Sequence, residues 1–421
     1  MHKFISTSDF TYKGRPYPEI PLMVDDEMRP VTVVNMYMLY LEMSVGRVKS
    51  SKTINNHIDA LYDYFSWLEA NKNEQREQSL FWDDQPMKTS NGLEPSNLAL
   101  YQHWSQRDYK KPNGDPLAHS TINQRTGCIL SFYKWARDIS QIIDWKPSSS
   151  KLVAINMGHP DVFAHTHGRR KIESDNLKLP TEKKIPKLLS IPECRHLMKA
   201  PMSRTIKLMT GLMLATGIRN MECRTFPLKY VFNPGGLDRS KRIKIELDRN
   251  DMLLKNEKSR TVYLSWQLMA ELYEYTQYGE GVERAKAFKQ KKDVASPNMF
   301  LNDKGMPFSD KGLNNTYRKF SKGFTKRDHT YPPVLSFRVT PHMLRHTFAT
   351  MELYHESKAI DPKTGRERGE GHALAWVKER LGHQSIQTTT IYLHCLHAME
   401  DHELNEYQKD IDQMIERDSH D

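Results

Sequence analysis

The feature that most constrains the fold is a break in patterning. Over residues 147–187 Pro147, Pro160, Pro180, Pro186 and the run Ser148, Ser149, Ser150 interrupt any helical period. Proline does so because it lacks a backbone donor and clashes with the preceding turn. Patterned sequence lies on both sides, so the 421 residues divide into two bodies, each long enough to bury a core. The break is also basic, through Arg169, Arg170, Lys171, Lys183, Lys184 and Lys187. It reads as a linker. Its charge and extended backbone would suit a phosphate chain, although a plain connector has the same composition.

Before the break, residues 1–29 hold three prolines, a glycine and no period, and read as an extended arm. Helical patterning starts near Pro30. Two segments, 51–68 and 120–136, both open with Thr-Ile-Asn and then set apolar residues at helical spacing. These are Ile58, Leu61, Phe65 and Leu68 in one and Ile122, Ile129, Phe132 and Tyr133 in the other. With 31–43 and 98–106 they predict an all-α bundle over 30–146. Beyond the break, 191–230 is helical. Ile243, Ile245 and Leu247 alternate, followed by Met252–Leu254 and by Val262 and Leu264, which predicts a small β-meander. Helical spacing returns over 266–279, 282–291, 309–322, 341–356, 371–381, 384–394 and 399–416. The expected class is mostly α, with an all-α first domain, an α+β second domain over 188–398 carrying a small antiparallel sheet, and a tail over 399–421.

Charge narrows the partner. Lys plus Arg number 62 against 52 Asp plus Glu, a formal charge of +10. From Glu400 to Asp421, nine acidic residues face only Lys409 and Arg417, so the rest of the chain is more basic still. A basic body suits nucleic acid; an acidic tail suits a protein neighbour or solvent. No apolar run approaches the ~18 residues of a membrane span, and the first residues lack a signal-peptide core. Cys128, Cys194, Cys223 and Cys395 are too scattered for a disulfide framework or a CxxC metal site. The expectation is a cytoplasmic protein, nucleoid-associated if bacterial.

Four strings carry chemistry: Ala215-Thr-Gly-Ile-Arg219-Asn-Met-Glu222; Leu254-Lys255-Asn-Glu-Lys258-Ser-Arg260-Thr-Val262-Tyr-Leu264; His342-Met-Leu-Arg345-His346; and Leu381-Gly-His383 running on to Tyr392. Arg219 stands where one helix stops and another begins, a poor place for a cation unless it holds an anion. His342 and Arg345 share a helix face and can grip one phosphate, Arg by a planar fork and His by a single donor. Alone, each string is weak, since an exposed helix face or a core tyrosine gives the same pattern. Together they supply what phosphoryl transfer to a protein nucleophile needs. Guanidinium groups meet the non-bridging oxygens, a tyrosine has a proton to lose, and a lysine can protonate the leaving oxygen. No carboxylate cluster with metal-ligand spacing accompanies them, so the expected route uses no metal and no cofactor.

In this order the strings resemble the motifs of the tyrosine recombinase (phage integrase) family, and the first domain resembles that family's core-binding domain. The resemblance implies that Arg219 and Arg345 clamp the scissile phosphate. His342 would be base or hydrogen-bond partner, and His383 would donate to a non-bridging oxygen. Lys255, with Lys258 as the alternative, would protonate the 5′ oxygen. Tyr392 would attack to form a 3′-phosphotyrosyl bond without ATP. Glu222 and His346 would support the arginines. Arg169, Arg170, Lys171, Lys258 and Arg260 are the candidate DNA contacts. The family implies double-stranded DNA as partner, a tetramer on two sites and a Holliday junction, with an accessory protein in some systems. The acidic tail would then dock on a neighbouring protomer. The polar stretch around 357–372, including Lys363 to Gly371, departs from the pattern and reads as a loop. A type IB topoisomerase or telomere-resolvase relative, a non-catalytic DNA-binding protein and a metal-dependent hydrolase stay open. His394, His397 and His402 are spaced as zinc ligands could be, but read as exposed helix positions.

Overall fold

The computed structural model describes residues 1–43, 51–73, 78–86, 88–89, 92–93, 95–148, 150–154, 171–181, 186–326 and 329–397. Arg169, Arg170, His402 and the acidic tail lie outside them. The chain divides into two compact units, Met1–Lys183 and Lys184–Asp421.

The first unit is built on α1 (Thr32–Met43), α2 (Ser51–Ala70), α3 (Asn97–Arg107) and α4 (His119–Asp138). The periodic residues face inward: Ile58, Leu61, Phe65 and Leu68 from α2, and Ile122, Ile129, Phe132 and Tyr133 from α4, are all buried. Between them lies an aromatic core whose rings meet edge to face, as ring quadrupoles favour. Tyr37 meets Phe132 at 5.4 Å and 76°, and Tyr64 meets Tyr101 at 5.2 Å and 68°.

Residues 1–29 are not an extended arm. His2–Ile5 pairs antiparallel with Pro21–Val24, and Ile20, Leu22 and Met23 enter the bundle core. Asn35 of α1 fastens this pair by accepting from the Met23 N–H (2.8 Å) and donating to the Met23 carbonyl (3.0 Å). The unit is therefore not purely helical. The sheet escapes a reading of local period because the paired segments are distant in sequence. Within the basic stretch, Ser150–Ala154 pairs antiparallel with Lys171–Asp175.

The second unit contains α5 (Ile191–Lys199), α6 (Arg204–Thr216), α7 (Asn220–Arg224), α8 (Trp266–Gln277), α9 (Glu280–Lys292), α10 (Gly312–Lys322), α11 (Pro341–Lys358), α12 (Gly369–Leu381) and α13 (Ile391–His397). Its hairpin pairs Ile243–Leu247 with Arg260–Leu264, Ile243 opposite Leu264, and burial alternates along both strands. Met252–Leu254 lies in the connection, so the expected meander is a two-stranded hairpin. The helix expected over 384–394 is a short 3-10 turn, Ile386–Thr388, followed by α13. The loop expected around 357–372 is shorter, because α12 already begins at Gly369.

Helices α6 and α11 pack against each other, and α11 also packs on α12 and α13. α6 is apolar nearly all round (Leu208, Met209, Leu212, Met213 and Leu214 are buried), the mark of a helix inside a core. It stops at Gly217, in the left-handed region at φ +63°. A Cβ there would lie 2.2 Å from the Phe348 ring of α11, so glycine is required both by backbone and by space. Among the described residues, no helix is long and apolar enough to cross a membrane.

Candidate active site

Arg345 organises the site. It projects from α11 and is 2% exposed. Its guanidinium donates to the carbonyls of Gly217, at the end of α6, and of Leu381, the last residue of α12 (2.7 Å). Two helix C-termini thus point their partial negative charge at one cation. Burial, then the charges of Arg219 and Arg260, lower its pKa to about 9, leaving it protonated at neutral pH.

The same Arg345 Nη2 lies 3.2 Å from His383 Nε2. Arginine has only donors, so Nε2 accepts and Nδ1–H is left to donate to Thr389 Oγ1 at 3.0 Å. Burial, followed by Arg345 and Arg219, lowers the His383 pKa to about 3. Gly382, at φ +63°, ends α12 and aims His383. The His383 and Tyr392 rings stack at 6.2 Å and 15°.

Tyr392, near the start of α13, is buried. Burial pushes its hydroxyl pKa up, while Arg345 and Arg219 pull against that rise. Its hydroxyl is 3.0 Å from His346 Nδ1. His346 therefore touches the candidate nucleophile, not the arginines it was expected to support. Its pKa is lowered to about 4 by burial and by His342 and Arg345, so the ring is neutral. The His342 ring lies against it, 4.3 Å between centroids, and burial with Arg345, Arg219 and Lys255 lowers the His342 pKa as well.

Arg219 caps the N-terminus of α7. Its N–H donates to Glu222 at 2.6 Å and its Nη1 at 3.0 Å. The other partner of Glu222 corrects an expectation. Arg260, placed on DNA by its charge, is 4% exposed at its side chain. It forks onto both oxygens of Glu222, 2.9 and 2.5 Å, and donates Nε to the Arg380 carbonyl at 3.0 Å. Burial would raise the Glu222 pKa; the bonds and charge of Arg260, then Arg219, outweigh it and hold the carboxyl at about 2. Arg260 thus ties the hairpin to the Arg219 loop and to the end of α12.

Lys255 and Lys258 lie on the exposed connection between the hairpin strands. Among the described residues, Lys255 makes no hydrogen bond to the cluster, although its charge reaches His342. Lys171 begins a strand, and Arg169 and Arg170 are outside the described residues. Thr389, fully buried against His383, was missed. The run Thr388-Thr389-Thr390 is visible in sequence, but no spacing rule selects the one that bonds. Among the described residues, no group of three or more His, Cys, Asp or Glu could hold a metal ion.

Residues 180–361 match the Phage integrase family. Over this segment, less than half of its length, the chain is similar to that family of tyrosine recombinases. The match includes Arg219, Lys255, His342 and Arg345 and ends before His383 and Tyr392. The chain is 26% identical over 393 residues to tyrosine recombinase XerC of Lacticaseibacillus casei, covering 91% of this chain and 98% of that one. It is 23% identical over 405 residues to transposase A from transposon Tn554 of Staphylococcus aureus, covering 94% and 96%. Among solved structures it is similar to the XerH site-specific recombinase bound to difH substrate (17% identity, 89% and 90% covered, TM-score 0.48). It is also similar to the Tn1549 transposon integrase with circular intermediate DNA (16% identity, 86% and 94% covered, TM-score 0.48).

Proposed function

We propose that this recombinase cuts and rejoins double-stranded DNA through a 3′-phosphotyrosyl bond to Tyr392. The observation that carries the reading is the convergence on the Tyr392 hydroxyl: His346 bonds it, His383 stacks on its ring, and Arg345 and Arg219 act on its charge. Arg219 and Arg345 bind the non-bridging oxygens and offset the charge that grows on phosphorus. His383, whose Nε2 accepts from Arg345, gives up that bond to donate once protonated or retautomerised on the phosphate. Lys255 swings in from its exposed connection to protonate the 5′ oxygen. Fixed cations fill the role that divalent ions play elsewhere, and the phosphotyrosyl bond keeps the energy needed for rejoining.

The full reaction joins two sites through four protomers and a Holliday junction, to integrate or excise a mobile element. The similarity to a Tn554 transposase supports that last part. The test uses nicked suicide duplexes tiled from DNA flanking the gene. Wild type should leave a denaturant-resistant protein–DNA adduct that Tyr392→Phe abolishes. An adduct that survives Tyr392→Phe would remove Tyr392 as nucleophile.

A further inference from the structure

We propose that His346, and not His342, takes the proton from Tyr392 as it attacks; this rests on the recombinase reading above. The Tyr392 hydroxyl has His346 Nδ1 at 3.0 Å, inside the reach a general base needs. The His342 ring packs against the His346 ring, 4.3 Å between centroids, with no hydrogen bond to Tyr392 among the described residues. Both histidines sit on one face of α11, one turn apart, and it is His346 whose ring nitrogen meets the Tyr392 hydroxyl.

The charged and titratable groups around His346 are His342 and Arg345 on α11, His383 after α12 and Tyr392 on α13, with Arg219 acting on the last two. Burial first, then His342 and Arg345, keep the imidazole neutral, hence able to accept. They also make it a weak base. A phosphodiester held by Arg345 and Arg219 offsets those cations, so His346 becomes more basic when DNA is in place. In the step itself the Tyr392 Oη–H proton passes to His346 Nδ1 and the Oη–P bond forms. The P–O5′ bond breaks, and the 5′ oxygen takes a proton from Lys255 Nζ. Rejoining runs each transfer in reverse.

The experiment compares His346→Asn, His342→Asn and Lys255→Ala on the tiled suicide duplexes, made with either oxygen or sulfur at the bridging 5′ position. A thiolate, with a pKa near 8.5, leaves without a proton, so sulfur relieves the loss of Lys255 and leaves the tyrosine proton still to be removed. His346→Asn should form adduct ~10²–10⁴-fold more slowly on both substrates. It should also lose the rise of rate with pH that marks a base, while sulfur restores Lys255→Ala. Asparagine keeps a hydrogen-bonding group near Tyr392 Oη, so a rate near wild type would show that His346 merely positions the tyrosine and would overturn the proposal. Loss of the pH-dependent rise in His342→Asn alone would also overturn it. Absence of any wild-type adduct overturns the recombinase reading itself, and the proposal with it, a result distinct from an active wild type with an unaffected His346→Asn.

Discussion

In the first unit Tyr37, Tyr64, Tyr101, Phe132 and Tyr133 fill the interior, and buried hydroxyls such as those of Tyr64 and Tyr133 bond each other at 2.8 Å. In the second, Glu222, Arg260 and Arg345 are buried among aliphatic side chains. Rings contribute stability by the area they remove from water. Ions cost desolvation that pairing only offsets. On the proposed function, the second unit accepts that cost because transfer of a phosphoryl group needs charges held still before the substrate arrives. On that proposal, one unit's core serves folding, and the other's serves folding and chemistry together.

The contrast is open to direct attack. Glu222→Gln leaves Arg260 buried without its carboxylate and should cost about 3–5 kcal/mol. Phe132→Ala should cost a similar ~3–5 kcal/mol by opening a cavity. Denaturant unfolding measures both. Only Glu222→Gln should also slow adduct formation at saturating DNA; equal slowing by Phe132→Ala would erase the distinction.

Acid should separate the units next. His346 and His383 have folded pKa values below the ordinary 6.5, near 4 and 3. Their neutral forms therefore support the fold fully above pH 6.5, and that support fades as pH falls toward those values. Glu222, held near 2 against an ordinary 4.5, adds a second loss below pH 4.5. In the first unit, the carboxyls shifted downward, Asp25, Asp26 and Asp138, are at the surface. Hydrogen exchange between pH 7 and pH 4 should show the second unit losing protection first, and parallel loss would count against the comparison. The smallest effect is Tyr64→Phe, which removes one hydroxyl of a buried pair and should cost about 1 kcal/mol in unfolding with cleavage unchanged.

Local rules carried most of the helices. The spacing over 51–68 and 120–136 became α2 and α4, and alternation at Ile243, Ile245 and Leu247 became a half-buried strand. They failed where partners are distant. Residues 1–29 looked structureless because Pro21–Val24 pairs with His2–Ile5 and then packs under α1. Arg260 looked like a DNA contact because charge suggests exposure, yet Glu222, far back in the chain, takes it inside. The family resemblance made His346 a support for the arginines, while its ring nitrogen meets the hydroxyl of Tyr392 on another helix.

The sequence by itself determined the chemical inventory, arginines, histidines, a lysine and a tyrosine in a recognisable order, and the local stops such as Gly217 and Gly382 that end helices beside them. Only the tertiary structure decided which charges are buried, which carboxylate holds two arginines, and which histidine meets Tyr392. The reason is that period, capping and backbone conformation are set within a few residues, whereas burial and pairing depend on which helix faces packing brings together.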